Sequence, residues 1–471
     1  MKFFHVLIGL AFVCLSIAKG ENPNVLVILV DDMGYGDMGA YNPESKIPTP
    51  HLDQLAADGM KFTDAHAPGP LCHLSRYGLM TGTFPFRTDV TVWPKKAVIE
   101  EDEDTIAKLL QRNGYQTAMV GKWHLGFNEE KGYKHPLPGG PVDQGFDTYF
   151  GIRASTDIPP YFYIRGDEAV MPPTEEIEAR NTEGWTNIQG EFWRAGGISP
   201  DLDLHEVLPR FTEEAVEVIS SHEGEAPLFL YLAYPAPHTP WLPTEEFVGK
   251  SEAGMYGDFM MMVDDEIGKV LAALDSKGIK EDTLVIFSSD NGPVWFGQDV
   301  EKFGHASSGL FRGMKADAWE GGHRMPFLVS WPAAIEAGSV SHRTISFTDV
   351  LATFAEMVGE SLSENAGPDS FSFLPTLKGE TQEPRTPIVL ESAKKLMTIR
   401  QGDWKFIEGK GSGGFSERYG GDETAKESAP AQLYDLKKDP GEIKNLYAEE
   451  PEVVAELRAE MKRIIEEGRS R

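Results

Sequence analysis

Short apolar runs rich in β-branched residues recur along the chain and alternate with segments of helical periodicity. The runs lie at residues 25–30, 117–120, 228–234, 284–288 and 327–331. Uninterrupted apolar runs of this length are typical of strands that are buried on both faces of a sheet. Helix signals lie between them, at residues 50–58, 105–113, 211–221, 259–275 and 349–358. The alternation predicts an α/β fold, with a large mixed, mostly parallel sheet sandwiched by helices.

The last part of the chain has a different texture. After Pro384 the apolar runs become short, at residues 388–390, 396–400 and 404–407, and a Gly-rich stretch follows at 409–414. The terminal segment places apolar residues three and four apart, which predicts a helix with one apolar stripe; these residues are Val454, Leu457, Met461 and Ile464. We therefore predict a small C-terminal antiparallel sheet plus a helix, as an α+β subdomain at residues 384–471.

Residues 152–209 are rich in Pro and aromatic side chains and only weakly periodic. This pattern indicates a loop region inserted beside a functional site rather than core structure. It interrupts an α/β domain that we place at residues 21–383. Most aromatic residues of this kind are core residues, so we interpret Tyr161, Phe162, Tyr163, Trp185 and Trp193 as core rather than as ligand platforms.

The amino end has the pattern of an export signal. Lys2 precedes an apolar stretch at residues 3–17, and small residues follow at positions 18 and 20. We interpret residues 1–20 as a signal peptide, and we expect a periplasmic or extracellular protein. The stretch is too short to span a membrane, and no later run reaches the roughly twenty apolar residues that a spanning helix needs.

Cysteine and charge exclude several classes of partner. Of the two cysteines, Cys14 leaves with the signal, so Cys72 is a lone thiol that cannot form an internal disulfide. A lone cysteine is ordinarily a small buried hydrophobe. The net charge of -30 argues against nucleic acid or an anionic membrane surface as partner. An anionic substrate would have to bind in a local basic island.

Polar residues follow four of the predicted strands at the point where each strand ends. Because the carboxyl ends of parallel strands meet at one edge of a sheet, these side chains are predicted to lie together; they are Asp31, Asp32, Lys122, His124, His238, Asp290 and Asn291. Lys122 and His124 are two residues apart on chain expected to be extended, so they should face the same way. Singly, each could be a turn or surface residue.

Two acidic pairs in this group point to a metal. Asp31, Asp32, Asp290 and Asn291 offer only oxygen ligands with three negative charges, which suits a hard divalent ion such as calcium or magnesium. Zinc would favour histidine or thiolate among its ligands. One such Asp alone would more often be a helix cap.

The segment around Cys72 reads as a loop that enters a helix. Cys72 at the amino end of that helix would face free N–H groups and the positive end of the helix dipole, which favour anionic oxygens. Arg76 lies four residues further on, so it shares the helix face and can pair with whatever Cys72 becomes.

These motifs resemble the formylglycine-dependent type I sulfatases of the alkaline phosphatase superfamily, in the arylsulfatase A-like branch. The resemblance rests first on Cys72-x-x-Ser75-Arg76, followed by residues 79–82 (Leu-Met-Thr-Gly), and on residues 121–126 (Gly-Lys-Trp-His-Leu-Gly). It covers nearly the whole mature chain, and further matching segments lie at residues 49–53, 237–240, 289–292, 312–315, 320–324 and 433–436.

The resemblance implies that a formylglycine-generating enzyme oxidises Cys72 to formylglycine (3-oxoalanine), which is then hydrated. It implies one calcium ion, held by Asp31, Asp32, Asp290 and Asn291 together with the modified Cys72. The sulfate pocket is expected to be lined by Arg76, Lys122, His124, His238 and Lys315.

The implied reaction is the hydrolysis of a sulfate ester. A hydroxyl of the hydrated aldehyde attacks sulfur and forms a covalent sulfoenzyme. His238, assisted by Lys315, protonates the leaving oxygen, and His124 then takes the proton that allows sulfate to be expelled. By association with exported bacterial relatives, the expected substrate is a sulfated poly- or oligosaccharide.

Two alternatives stay open. A phosphoester hydrolase of the same superfamily would use similar geometry, although a second metal cluster rich in Asp and His is not apparent in the sequence. A non-catalytic reader of sulfated glycans would keep the basic pocket with Cys72 unmodified. Leu74 bears on this choice, because the family's modification signal usually has Pro at that position.

Overall fold

The computed structural model describes residues 22–90, 93, 95–186, 188–420 and 429–471. The predicted signal peptide lies outside the described residues. Of the described helices, none combines the length and the apolar character needed to cross a membrane.

The strands and helices follow one another as predicted, with small differences at their ends. The strands are β1 (Asn24–Asp31), β2 (Met60–His66), β3 (Gln116–Lys122), β4 (Thr148–Ile152), β5 (Ile164–Arg165), β6 (Glu168–Ala169), β7 (Glu175–Ile177), β8 (Gly196–Ile198), β9 (Leu228–Pro237), β10 (Thr283–Ser289), β11 (Arg324–Ser330), β12 (Ser339–Ser341), β13 (Ile345–Ser346), β14 (Ile388–Glu391), β15 (Met397–Gln401), β16 (Trp404–Ile407) and β17 (Gln432–Asp435). The helices are α1 (Pro50–Asp58), α2 (Cys72–Thr81), α3 (Ile106–Arg112), α4 (Val207–Ser221), α5 (Gly254–Lys277), α6 (Gly297–Phe303), α7 (Glu320–His323), α8 (Asp349–Met357), α9 (Leu374–Leu377), α10 (Phe415–Arg418) and α11 (Pro451–Glu466).

The large sheet has the strand order β12-β2-β11-β10-β1-β9-β3-β4-β5-β6, and β13 also pairs with β2. Its centre, β10-β1-β9-β3-β4, is parallel throughout. The strands β11 and β5 pair antiparallel at the two sides of this centre. The sheet is therefore mixed and mostly parallel at its core, which confirms the predicted fold class.

Successive side chains of β1 enter two different hydrophobic layers. Leu26, Ile28 and Val30 pack in one layer with α1, α4 and α5. Val25 and Val27 pack on the opposite side, in a layer that includes buried residues of α2, α3 and α8. Because both faces of the strand are covered by helices, the apolar run is uninterrupted.

Helix α1 is capped by a residue that is distant in the sequence. Pro50 occupies its first turn, and the Thr49 side chain makes no capping hydrogen bond to the helix. The cap comes from α5, where Asp264 accepts hydrogen bonds from the backbone N–H groups of His51 and Leu52, at 3.1 and 2.8 Å. A carboxylate from a distant helix thus satisfies the free donors of α1.

The region at residues 152–209 contains more regular structure than a loop insertion predicts. Strands β5 and β6 extend the large sheet beyond β4, and β7 pairs with β8 as a separate two-stranded sheet. Tyr161, Phe162, Tyr163 and Trp193 are buried, as their interpretation as core residues requires, and Trp185 is half-buried.

The C-terminal sheet is antiparallel, in the order β14-β15-β16-β17. Helix α11 covers it with the four apolar residues that the spacing predicted, all of which are buried. The domain boundary at residue 384 stays a prediction.

Buried ion pairs connect the small sheet to the large one. Arg400 on β15 lies 3.2 Å from Asp64 on β2, and Lys405 on β16 lies 3.0 Å from Glu320 on α7. The two sheets are therefore joined by charges as well as by apolar contacts.

Candidate active site

The predicted site residues converge at the carboxyl edge of the large sheet. Asp31 ends β1 and Lys122 ends β3, while His238 and Asp290 follow directly after β9 and β10. All of the predicted site side chains are buried, with His238 the most exposed of them at 9%. The edge is therefore a closed polar centre rather than an open surface.

The backbone takes a left-handed conformation at two of these residues. Asp32 has φ of 68° and His124 has φ of 61°. Asp and His tolerate this conformation better than most residues, and it costs free energy that the surrounding structure must supply. The prediction that Lys122 and His124 share an extended segment is therefore wrong, because the chain turns at His124 instead of continuing β3.

Each carboxylate of the centre is bonded to a fixed cation. Arg76 donates from Nε to Asp290 Oδ2 at 2.9 Å, and its Nη2 lies 2.8 Å from the same oxygen. Lys122 donates to Asp31, and Lys315 Nζ lies 2.5 Å from Asp32 Oδ1. Arg76 thus pairs with Asp290, and its pairing with the modified form of Cys72 stays a prediction.

Cys72 is the first residue of α2 and lies beside Asp31 and Lys315. Its Sγ lies 3.2 Å from Asp31 Oδ1 and 3.4 Å from Lys315 Nζ. Burial raises the pKa of the Cys72 thiol well above its ordinary value, Asp31 raises it further, and Lys122 and Lys315 only partly oppose this. The unmodified thiol is therefore protonated, and a protonated thiol is a poor nucleophile.

The pKa values of Asp31 and Asp290, which lie at the ends of two neighbouring strands, shift in opposite directions. Burial alone would raise the pKa of Asp31, but the neighbouring Lys122, Arg76 and Lys315, with Lys122 foremost, hold it well below its ordinary value. Burial and the neighbouring charge of Asp31 raise the pKa of Asp290 to about 6. The centre's own cations do not fully compensate the charge at Asp290, which favours the binding of a further cation.

His238 is oriented by its neighbour in the chain. Its Nδ1 lies 2.6 Å from the carbonyl oxygen of Thr239, so Nδ1 carries the proton and donates it there. The other ring nitrogen, Nε2, lies 3.7 Å from Asp32 Oδ2 and faces the centre.

His73 also lies in this centre, and sequence reasoning missed it. Its ring centroid lies 5.7 Å from that of His124, and its Nδ1 is buried without a hydrogen-bond partner among the described residues. Burial, together with Lys122 and Lys315, lowers the pKa of His73 to about 3, so the ring is neutral. Its position directly after Cys72 was the available signal.

The oxygen-rich part of the centre fits a hard divalent cation. Asn291 donates from Nδ2 to Asp32 Oδ1 at 2.7 Å, which leaves its Oδ1 buried without a partner among the described residues. One ligand atom each of Asp31, Asp32, Cys72 and His238 lies within 4.8 Å of the others. An unpaired amide oxygen beside three carboxylates is a ready ligand set for such an ion.

A second group of residues that could bind a metal surrounds the side chain of Lys405. His66, Glu320 and His323 lie close enough together to share an ion. However, Lys405 Nζ lies 3.0 Å from Glu320 Oε1 and 3.1 Å from His323 Nε2. Lys405 thus takes the position that a metal would need, and we interpret this group as structural.

Carboxylates that can bind a metal, together with fixed cations around one residue at a helix start, suit the hydrolysis of an anionic ester. The cations and the metal counter the charge of such an ester, which otherwise repels a nucleophile.

Comparisons with known proteins agree with this class. A family model described as Sulfatase matches residues 23–360. N-acetylgalactosamine-6-O-sulfatase of Bacteroides thetaiotaomicron is 33% identical, over 93% of this chain and 92% of that protein. Human arylsulfatase A is also 33% identical, over 92% of this chain and 84% of that protein.

A solved structure from work on glycosaminoglycan metabolism by Bacteroides thetaiotaomicron has a TM-score of 0.85 to this chain. It is 31% identical and covers 95% of this chain and 100% of its own. The chain belongs to the sulfatase family and is an enzyme that hydrolyses sulfate esters.

Proposed function

We propose that this enzyme removes sulfate from a sulfated carbohydrate, with Cys72 converted to formylglycine and one Ca²⁺ bound at Asp31, Asp32, Asp290 and Asn291. The substrate class follows from relatives named as N-acetylgalactosamine-6-sulfatases. The observation that carries the proposal is the position of Cys72, between Asp31 and Lys315 at the start of α2. A protonated thiol at this position is a poor nucleophile, whereas its conversion to formylglycine would supply one.

Calcium and formylglycine supply separate parts of the proposed chemistry. Calcium, when bound, draws negative charge from the sulfate oxygens. Formylglycine, when hydrated, supplies a hydroxyl nucleophile in place of the thiol. A formylglycine-generating enzyme is the maturation partner that this proposal requires, and residues 1–20 are the proposed export signal.

The chain's own cations hold the sulfate group. Arg76, Lys122 and Lys315 surround the position of Cys72 and are anchored by carboxylates, so they need little reorganisation when an anionic ester enters. Their charges also orient sulfur toward the residue at position 72.

The two histidines that face the centre move protons. His238 presents Nε2 toward it because Nδ1 is fixed to the carbonyl of Thr239, so Nε2 is the atom that delivers a proton to the leaving sugar oxygen. His124, beside His73, accepts the proton whose loss allows sulfate to depart. We place this machinery in a catalytic domain at residues 21–383, followed by the subdomain at residues 384–471.

The test is a comparison of sulfate and phosphate release from matched sugar esters by exported protein, with Cys72→Ala as the control. The proposal predicts sulfate release that Cys72→Ala abolishes, and little phosphate release. Faster phosphate release would assign a phosphoester hydrolase. Tight binding of sulfated sugars with no release of either product would assign a non-catalytic reader.

A further inference from the structure

A short segment of the inserted region crosses the carboxyl edge of the large sheet beside the proposed active centre. At its start, the carbonyl of Gly190 accepts hydrogen bonds from Thr239 Oγ1 at 2.8 Å and from Trp241 N at 2.9 Å. Thr239 directly follows His238 after β9. At its end, the Arg194 guanidinium bonds to Asp157, in the segment that follows β4.

The distances place this segment over the end of β3. Strands β9 and β4 flank β3, so their ends are separated by two strand spacings, about 10 Å. The four-residue step from Gly190 to Arg194 spans at most about 14 Å. The segment turns once, where Phe192 N bonds to Gly190 O at 2.9 Å, and is long enough to reach from one side of the Lys122 and His124 segment to the other.

The segment that carries Asp157 also lies beside His124, because it follows β4 next to the end of β3. His124 donates its backbone N–H to the carbonyl of Arg153 at 3.0 Å, so the segment after β4 runs beside His124. The chain then turns, with Ile158 N bonded to Ser155 O at 3.0 Å. Asp157 lies in this turn, four residues beyond the contact with His124.

The side chains of Asp157 and Arg194 leave hydrogen-bonding atoms without partners. Asp157 is only 4% exposed, and its Oδ2 accepts from Arg194 Nη1. Its Oδ1 is buried and has no partner within the described part of the chain. A buried acceptor of this kind needs a donor, since leaving it unpaired costs free energy.

The Arg194 side chain is fixed by its neighbours but remains partly exposed to solvent. Its guanidinium lies 4.9 Å from the ring centroid of Phe192 and 5.2 Å from that of Trp93, and its side chain is 38% exposed. Tyr161 donates its hydroxyl to the Arg194 carbonyl at 2.8 Å, which fixes the backbone. Among the described residues, the guanidinium donates through Nη1, which leaves Nε and Nη2 to donate to a ligand.

We infer that Asp157 and Arg194 form the sugar-recognition pair of this active centre and bind ring hydroxyl groups of the sulfated residue. The pair offers one acceptor and further donors side by side, and a vicinal pair of hydroxyls matches that pattern. A second anionic group on the ring fits poorly, because the free atom of Asp157 is itself a carboxylate oxygen. The preferred substrate is therefore a neutral sugar ring that carries the reacting sulfate as its only charge.

This inference rests on the proposed function, and its test separates the two. The variants are Asp157→Asn, which keeps the side-chain size but replaces the carboxylate by an amide, and Arg194→Lys, which keeps the positive charge but removes the planar guanidinium donors. The control is Arg165→Lys, because Arg165 also pairs with an acid, Glu214, and lies 4.5 Å over a ring, Phe150, but contacts α4 instead of the carboxyl edge.

The measurements are kcat/KM for the best monosulfated sugar and the inhibition constant of inorganic sulfate. Loss of a hydrogen bond to a charged group should lower kcat/KM about ten- to a hundredfold in both site variants. Inhibition by sulfate should not change, because sulfate occupies only the cation pocket. Arg165→Lys should match the wild type in both measurements.

A series of monosulfated sugars, each lacking one ring hydroxyl, adds a second arm. One deoxy substrate should be poor for the wild type, and Asp157→Asn should show no further loss on it. Unchanged kcat/KM in both variants would overturn the inference, as would an equal weakening of sulfate inhibition. A wild-type enzyme that releases no sulfate from any sugar would instead refute the proposed function.

Discussion

Lys315 Nζ lies 2.5 Å from Asp32 Oδ1, although 283 residues separate the two in the chain. The segment that carries Lys315 is fixed on both sides, since Lys315 N bonds to Pro293 O at 2.9 Å and Ala316 N bonds to Pro70 O at 2.7 Å. It therefore joins the loop after β10 to the loop before α2. The cation that faces Cys72 is positioned by the backbone as well as by its ion pair.

Calcium should stabilise the wild type by mass action, by about 2.7 kcal/mol at a concentration a hundredfold above its Kd. Asp290→Asn keeps the side-chain shape but removes a ligand charge, so it should abolish most of the calcium-induced rise in Tm, together with most activity. Asp31→Ala should do the same.

Thermal melting with and without calcium or a chelator is the measurement. Asp258→Asn is the matched control, because Asp258 is equally buried but caps the backbone of residues 249–251. It should lower the Tm and leave the calcium shift intact. If neither calcium nor the chelator changes the Tm or the activity of the wild type, the proposed metal site is contradicted.

His238→Ala should cost far more rate on a sugar sulfate than on nitrophenyl sulfate. General acid catalysis contributes about a hundredfold to ten-thousandfold when the leaving group is poor, and a nitrophenolate needs little help. Single-turnover rates on both substrates, with chemistry limiting, give the comparison. Equal losses would mean that His238 binds sulfate, and the acid role would pass to Lys315.

Leu74→Pro should raise the fraction of Cys72 that is converted to formylglycine. Leu74 is the third residue of α2, where the backbone N–H has no acceptor within the helix, so Pro removes no helical hydrogen bond there. Mass spectrometry of the tryptic peptide at residues 62–76 measures conversion. Leu74→Ala is the control. If Leu74→Ala raises the converted fraction as much as Leu74→Pro does, the leucine side chain, and not the missing proline, limits conversion.

Asp64→Asn should destabilise the fold at neutral pH by about 3 to 5 kcal/mol, because it leaves Arg400 buried without its counter-charge and removes one of the acids that pair with Arg324. Burial alone would raise the pKa of Asp64, but Arg324, His66 and Arg400 hold it below its ordinary value. Its contribution is therefore complete above the unfolded pKa, about 4, and is lost as pH falls further.

Denaturant melts between neutral pH and pH 3 test this. The variant should lose less stability than the wild type as pH falls below about 4. Asp203 is exposed, and the backbone N–H of His205 lowers its pKa, so Asp203→Asn should change the pH profile much less than Asp64→Asn does. Parallel profiles for Asp64→Asn and the wild type would contradict the ion-pair account.

The sequence predicts the parts of the centre that follow from strand order. Apolar runs mark β1, β3, β9 and β10, and a parallel arrangement brings their carboxyl ends to one edge, so the meeting of Asp31, Lys122, His238 and Asp290 follows from local pattern. The apolar stripe of α11 is predictable for the same reason.

Contacts between distant segments were not predictable in this way. Asp264 caps α1 from a helix more than 200 residues away, and the left-handed His124 bonds through its backbone N–H to Arg153. The meeting of Asp157 with Arg194 depends on how residues 152–209 fold over the edge. No local periodicity encodes any of these contacts.

The most direct test of the central claim is the initial rate of sulfate release from a monosulfated sugar, plotted against the converted fraction of Cys72 across preparations of the same protein. The converted fraction comes from mass spectrometry of the peptide at residues 62–76. We predict a straight line through the origin, with no release from protein that retains the thiol. A rate independent of the converted fraction, with full turnover by thiol-only protein, would contradict the assignment of formylglycine at position 72.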